Sequence, residues 1–245
     1  MFSFLKCHPF SVEAFFENSI VLTFAVAKEE LQGLIPRHLK LDLFRDKWAF
    51  IAVALVETSE LRPKGFPKIL GNHFFLIGYR IFVRYRNREG RNLRGLYILK
   101  SETDSLKMKI LGGIFTHYNY SLIHIYKRLE NSMSEISSSS GLNIQVNWVE
   151  SAPSLPKSSP FSSWKEARLF SGPLPFTFTC NEIKNEVLIV EGIRESWKPK
   201  PLKIESYKIP FLDTFKFHEI NFANAFVVRN IPYHWKKGRI EKWNQ

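Results

Sequence analysis

Cysteine is nearly missing from this chain. Cys7 and Cys180 are the only two in 245 residues and have no CxxC spacing, so neither a disulfide framework nor a thiolate metal site is expected to hold the fold. Both read as buried thiols. Long apolar runs are missing as well. The longest, Trp48 to Val56, falls far short of the roughly 20 residues a membrane-spanning helix needs. The opening MFSFLKCHPF lacks a charged region ahead of an apolar stretch and a small-residue cleavage site, so a cytoplasmic address and no membrane insertion are expected. The seven histidines show no HExxH, no HxH and no Cys/His spacing of a zinc site, and no metal is expected. GxGxxG, GxxxxGK[ST] and GxSxG do not occur, which leaves nucleotide cofactors and a serine-hydrolase elbow without support. No cofactor is expected.

What is present is a core and a charge. Hydrophobic residues make up 44% of the chain and 22 are Phe, so the bulk of it folds and disorder is excluded. A chain of 28.7 kDa should bury roughly three-quarters of its extended surface without staples. A single domain over 1–245 is expected, since neither half looks self-sufficient and no internal repeat is visible. Lys and Arg total 35 against 23 acids, a formal +12, which sets up a field that attracts anions. The densest cluster is Arg84, Arg86, Arg88, Arg91 and Arg94, and a second lies at Lys236, Lys237, Arg239 and Lys242. The first can be a phosphate-tracking groove or the solvated tip of a hairpin at NREGR; the second can be a basic tail.

The dominant period is two. From His73 to Arg86, Phe75, Ile77, Tyr79, Ile81 and Val83 share one face, and Leu76, Gly78, Arg80, Phe82 and Arg84 the other. Asn87 to Asn92 turns the chain, and Leu93 to Leu99 returns as the partner strand. Further strands are expected at 19–26, 39–44, 48–57, 118–126, 142–149, 176–179, 187–194, 202–207 and 221–229. So many strands imply a mainly β protein, α+β by strict count, whose mostly antiparallel sheet must close or stack to hide its edges. Two short helices are expected. KEELQGLI, from Lys28 to Ile35, has acids in its first turn and stops before Pro36; Ser163 to Glu166 forms a capping box for the other. Ser137 to Ser140 and the Pro/Ser-rich 151–163 read as loops, and Gly172, Pro173 and Pro175 as a rigid turn.

LTFAVAKEELQGLIPRHLKLDLF followed by WAFIAVALVE resembles the helix-and-proline entry of the acetoacetate-decarboxylase-like superfamily. GNHFFLIGYRIFVRY, LRGLYILKSETDS, FTHYNY, SGPLPFTF and EGIRESWKPKP resemble one of its uncharacterised branches, domain-of-unknown-function family 2071. The resemblance runs from about Ser19 to about Arg239. It implies a single domain whose strands close into a cone or barrel around a small-molecule pocket; homo-oligomerisation stays open. In the decarboxylase an adjacent lysine pair forms and activates a Schiff base. Aligned to this chain, that pair falls near Asn119 and Tyr120, neither of which can form an imine, and a family glutamate falls near Ile51. This argues against acetoacetate decarboxylation, and Lys107 and Lys109 in SLKMKIL are the nearest substitutes.

Within such a pocket, an inward Arg80 is a buried charge that requires an anion. A carboxylate ligand held by Arg80 and Arg84 would supply it, and so would Glu102 or Asp104. If FTHYNYS is extended, His117, Asn119 and Ser121 share one face, expected to be polar and inward, while Tyr118 and Tyr120 share the other. Candidate catalytic groups are His117, as acid or base, and Glu102 with Asp104, which could hold one proton between them. Candidate ligand-binding residues are Arg80, Arg84, Tyr118, Asn119, Tyr120 and Trp197. Three functions stay open: an enzyme acting on organic or keto acids without a lysine imine, a non-catalytic module with the same pocket, and a nucleic-acid or anionic-surface binder through the Arg84 to Arg94 cluster.

Overall fold

The computed structural model describes residues 5–148, 153–172, 174–195 and 197–243. In chain order the elements are β1 (Val12–Ala27), α1 (Lys28–Gln32), β2 (Lys40–Leu41), β3 (Trp48–Pro63), β4 (Asn72–Arg86), β5 (Asn92–Thr103), α2 (Leu106–Phe115), β6 (Tyr120–Leu122), β7 (Ile125–Glu130), β8 (Met133–Ser138) and β9 (Asn143–Asn147). They continue with α3 (Trp164–Ser171), β10 (Phe176–Asn181), β11 (Glu186–Arg194), β12 (Lys200–Pro201), β13 (Lys203–Lys208), α4 (Pro210–Asp213), β14 (Ile220–Trp235) and β15 (Arg239–Lys242).

The long alternating strands β1, β3, β4 and β5 pair antiparallel in a large sheet of order β12-β14-β1-β3-β4-β5-β10-β11-β15. It is mixed, because β10 and β6 each run parallel to β5. A short pairing of β11 with β14, through Gly192, Ile193 and Arg194, bends the sheet partly into a ring and protects two edges. One face of β1, β3 and β4 presents Ile20, Leu55 and Ile77 to Ile136, Ile144 and Val146 of a second sheet, ordered β13-β9-β8-β7. The opposite face curves around a hollow.

Both expected helices form. The box at α3 is half-realised: Ser163 Oγ accepts the Glu166 N–H at 3.2 Å, but the Glu166 carboxylate takes the N–H and hydroxyl of Ser162 instead of closing back on Ser163.

Four local expectations are corrected. Beyond the two helices expected, SLKMKIL opens α2, because Ser105 Oγ accepts the Met108 N–H at 3.2 Å and caps its first turn. The run 118–126 breaks, since Asn119 sits at φ 51° and β6 and β7 join different sheets. Ser137 and Ser138 belong to β8, and the turn comes afterwards at Gly141, whose φ of 87° suits glycine. The basic stretch after Trp235 is partly strand, because β15 pairs with β11. Pro173 of the expected rigid turn lies outside the described residues.

Candidate functional site

The hollow is a cavity of about 420 Å³, within the range that holds small ligands. Its floor follows from alternation on β3 and β4, where Ala52, Ala54, Val56, Leu76, Arg80 and Phe82 face inward. Three bulges then change which residues look in. Glu17 is an extra residue in β1, so the inward set passes from Phe16 to Ser19. An insertion near Glu60 in β3 passes it from Thr58 to Leu61. Leu99 is an extra residue in β5, so Leu96 and Ile98 face the cavity, then Ser101.

That last bulge separates two groups the sequence placed together. Glu102 lies on the opposite face of the sheet from Arg80, where it is buried and accepts from Lys100 Nζ at 2.6 Å, Tyr79 Oη at 3.1 Å and Ser140 Oγ at 3.2 Å. Burial and the adjacent Glu102 carboxylate push the Tyr79 hydroxyl pKa upward. Asp104 is exposed and accepts the Phe75 N–H at 2.8 Å.

Arg80 is therefore left without a carboxylate among the described lining residues. Its side chain folds back over Gly78, where a Cβ would lie 2.9 Å from Nε and from Nη2, so the missing side chain at 78 makes room for the guanidinium. Its Nε is buried without a hydrogen-bond partner. Burial lowers the Arg80 pKa, as does the second cation Arg194. Arg194 enters from β11 at the seam, directly opposite Tyr233 of β14, and lies over the Trp197 ring at 4.2 Å and the Tyr233 ring at 5.4 Å. Burial lowers its pKa too.

Tyr118, Tyr120 and Tyr233 complete the polar end. Burial raises the pKa of all three, so each stays a protonated hydroxyl. The indole Nε1 of Trp197 is buried there without a partner. Two glycines fit the tyrosines: a Cβ on Gly112 would lie 2.3 Å from the Tyr120 ring, and one on Gly192 1.9 Å from the Tyr233 oxygen. Among the described lining residues there is no aspartate, glutamate or lysine, and His8 is the one histidine. His8 sits at φ 54°, and burial lowers its pKa. The third arginine, Arg62, is satisfied by Glu13 at 3.1 Å and Glu60 at 3.7 Å.

Of the residues singled out in the sequence, the structure brings Arg80, Tyr118, Tyr120 and Trp197 together at this end of the cavity. The inward face of 116–121 is the tyrosine face and not the polar one, because the large rings fill volume while His117 and Asn119 remain exposed. Neither His117 nor Asn119 lines the cavity. Arg84 points elsewhere: with Arg94 it grips the fully buried Asp42, at 2.5 Å for Arg84 Nε and 2.6 Å for Arg94 Nη2. Lys107 and Lys109 are exposed on α2 and outside the lining. Sequence reasoning missed Arg194, Tyr233 and His8. The signal available for the first two was a glycine beside an arginine, Gly192 before Arg194, repeating the pattern of Gly78 before Arg80.

The architecture is that of the acetoacetate-decarboxylase-like fold. Acetoacetate decarboxylase from Legionella pneumophila superposes with a TM-score of 0.60 at 11% identity, over 95% of this chain and 88% of that one. An acetoacetate-decarboxylase-like enzyme from Sphingomonas wittichii gives 0.58 at 12% identity, over 96% and 93%. The enduracididine biosynthesis enzyme MppR, solved with pyruvate, gives 0.57 at 8% identity, over 96% and 92%. At these identities the likeness concerns the fold. Over residues 13–179 the chain matches domain-of-unknown-function family 2071, described as an uncharacterised conserved protein, and it belongs to that family. The match ends at 179, short of the Arg239 to which the sequence resemblance was drawn. A comparison with curated protein sequences finds no match.

Proposed function

We propose that the cavity binds an organic acid, its carboxylate held by Arg80 and Arg194 and its apolar body lying against the Ala, Val, Leu and Phe side chains of β3, β4 and β5. One observation carries this reading: the Arg80 guanidinium, its Nε buried without a partner, faces the cavity, and no described lining residue is an acid that could neutralise it. A buried cation is retained at a cost when a ligand supplies its counter-ion. Around it Arg194 and the Trp197 indole are donors and Tyr118, Tyr120 and Tyr233 are neutral hydroxyls, the complement of a carboxylate. The pyruvate complex of MppR shows that a relative of this fold holds a small keto acid.

The described lining residues include no lysine, which supports a reaction here that proceeds without a lysine imine. His8 is the one histidine among the described lining residues, and proton transfer, if the bound acid reacts, falls to it or to Tyr118, Tyr120 and Tyr233. The sheet-embedded Glu102 and the exposed Asp104 take structural contacts instead, and the exposed His117 lies outside the lining. The nucleic-acid reading loses two of its five arginines, since Arg84 and Arg94 are engaged with Asp42.

The test is a thermal-shift screen of 2-keto and aliphatic acids against their amides and methyl esters, because a ligand selective for the native state raises the melting temperature. Acids should raise it and their neutral analogues should not, and borohydride should trap no adduct. Equal shifts from acid and ester would refute the carboxylate clamp, and an adduct on a lysine would refute the imine-free site.

A further inference from the structure

Two segments beside the cavity are apolar and basic together. The connection between β3 and β4 exposes Phe66, Ile69 and Leu70, with Ile69 at 91% of its free surface. Helix α2 exposes Leu106 and Ile110. Exposed lysines punctuate both: Lys64 and Lys68 in the connection, Lys107 and Lys109 on the helix. Residues 64–71 and 106–115 contain no acid. The nearest carboxylates are engaged, Glu60 with Lys68 at 3.2 Å and with Arg62, and Asp104 with the Phe75 N–H.

The structure holds the two segments at one rim. Asp104 ties the start of α2 to the start of β4, just past the connection. The Lys64 N–H donates to Ser11 O at 2.9 Å, and Phe10 packs edge-on against Phe115 at the far end of α2, with centroids 5.0 Å apart. Met108 of α2, Phe10, and Pro63 and Asn72 at the two ends of the connection line the cavity.

We infer that this rim is a peripheral docking surface for an anionic lipid bilayer. Clustered exposed side chains as large as Ile69 and Phe66 mark a contact site, and the charge around them selects its partner. A second copy meeting the same face would bring two sets of four lysines together, and Glu60, paired with Lys68 at 3.2 Å, offsets one lysine of each set, so like charge still opposes self-association. An anionic bilayer offers the complement: each lysine near its surface adds about fivefold to affinity, while the apolar tips enter the headgroup boundary. Docking in this pose sets the cavity rim against the membrane.

Flotation with phosphatidylcholine vesicles, and with equimolar phosphatidylcholine and phosphatidylglycerol, tests the inference without any cavity ligand, so its failure leaves the organic-acid reading untouched. The protein should float with the anionic vesicles, weakly with the neutral ones, and less as salt rises. Ile69→Glu and the pair Lys107→Glu with Lys109→Glu each alter exposed side chains and should leave the melting temperature unchanged while lowering vesicle affinity at least about tenfold. Three results overturn the proposal: no flotation of the wild-type protein on anionic vesicles at low salt, unchanged affinity in both variants, or a dimer in solution that Ile69→Glu dissociates.

Discussion

Replacing Arg80 with methionine should make the empty protein more stable and the binding site useless. The guanidinium faces the cavity, its Nε has no partner and the described lining residues hold no carboxylate. Methionine follows the same unbranched path past Gly78 and carries no charge. Removing an unpaired buried charge should raise the unfolding free energy by about 1–3 kcal/mol, a fraction of the several kcal/mol that burial of an ion costs. For 245 residues the unfolding entropy is about 0.5 kcal/mol/K, so the melting temperature should rise by about 2–6 °C. The carboxylate found by the ligand screen should bind about 30- to 5000-fold more weakly, since losing one side of a buried charge-assisted contact costs about 2–5 kcal/mol. Urea melts read the first quantity and titration calorimetry the second. If Arg80→Met lowers stability by more than about 1 kcal/mol, the guanidinium is a structural group with a protein partner and the clamp reading fails.

Asp42→Asn should cost about 1–3 kcal/mol, less than a fully buried pair because Arg84 and Arg94 keep 45% and 33% of their side-chain surface; chemical denaturation measures it, and no change would remove Asp42 from the account of the fold. Gly192→Ala forces the Tyr233 hydroxyl to move, because the new Cβ would lie 1.9 Å from it; overpacking of this kind costs about 1–3 kcal/mol, and acid binding should weaken with it. Burial holds the His8 pKa below the usual 6.5, so the unfolded chain takes up a proton that the native state refuses. Its contribution to stability is therefore complete above pH 6.5 and is lost as pH falls below it. His8→Asn, which tolerates the positive φ, should flatten this dependence between about pH 7.5 and 5.5, and equal slopes in urea melts of the two proteins would discount it.

Much of the scaffold was written in the sequence because local alternation is a local property. The two faces of β4 separate as their period of two dictates, Tyr79 and Ile81 into the core and Leu76, Arg80 and Phe82 into the cavity. The hairpin at 87–92, the helix before Pro36 and the cap at Ser163 are set by short-range chemistry and appear where that chemistry puts them. The need of an inward Arg80 for an anion also follows from the strand alone.

What supplies the anion does not. Continued alternation from Ile98 would put Lys100 and Glu102 on the cavity face, where Glu102 could neutralise Arg80. One extra residue at Leu99 turns both to the other side of the sheet. A bulge is fixed by the register of two strands against each other, which no single-strand pattern records. The same holds for Arg194 and Tyr233, which are 39 positions apart in sequence and meet because β11 closes on β14. Periodicity determined that Arg80 shares a strand face with Leu76 and Phe82; the pairing of distant strands decided that this face is the concave one and that, among the described residues, the arginine stands there without a carboxylate partner and beside a second one.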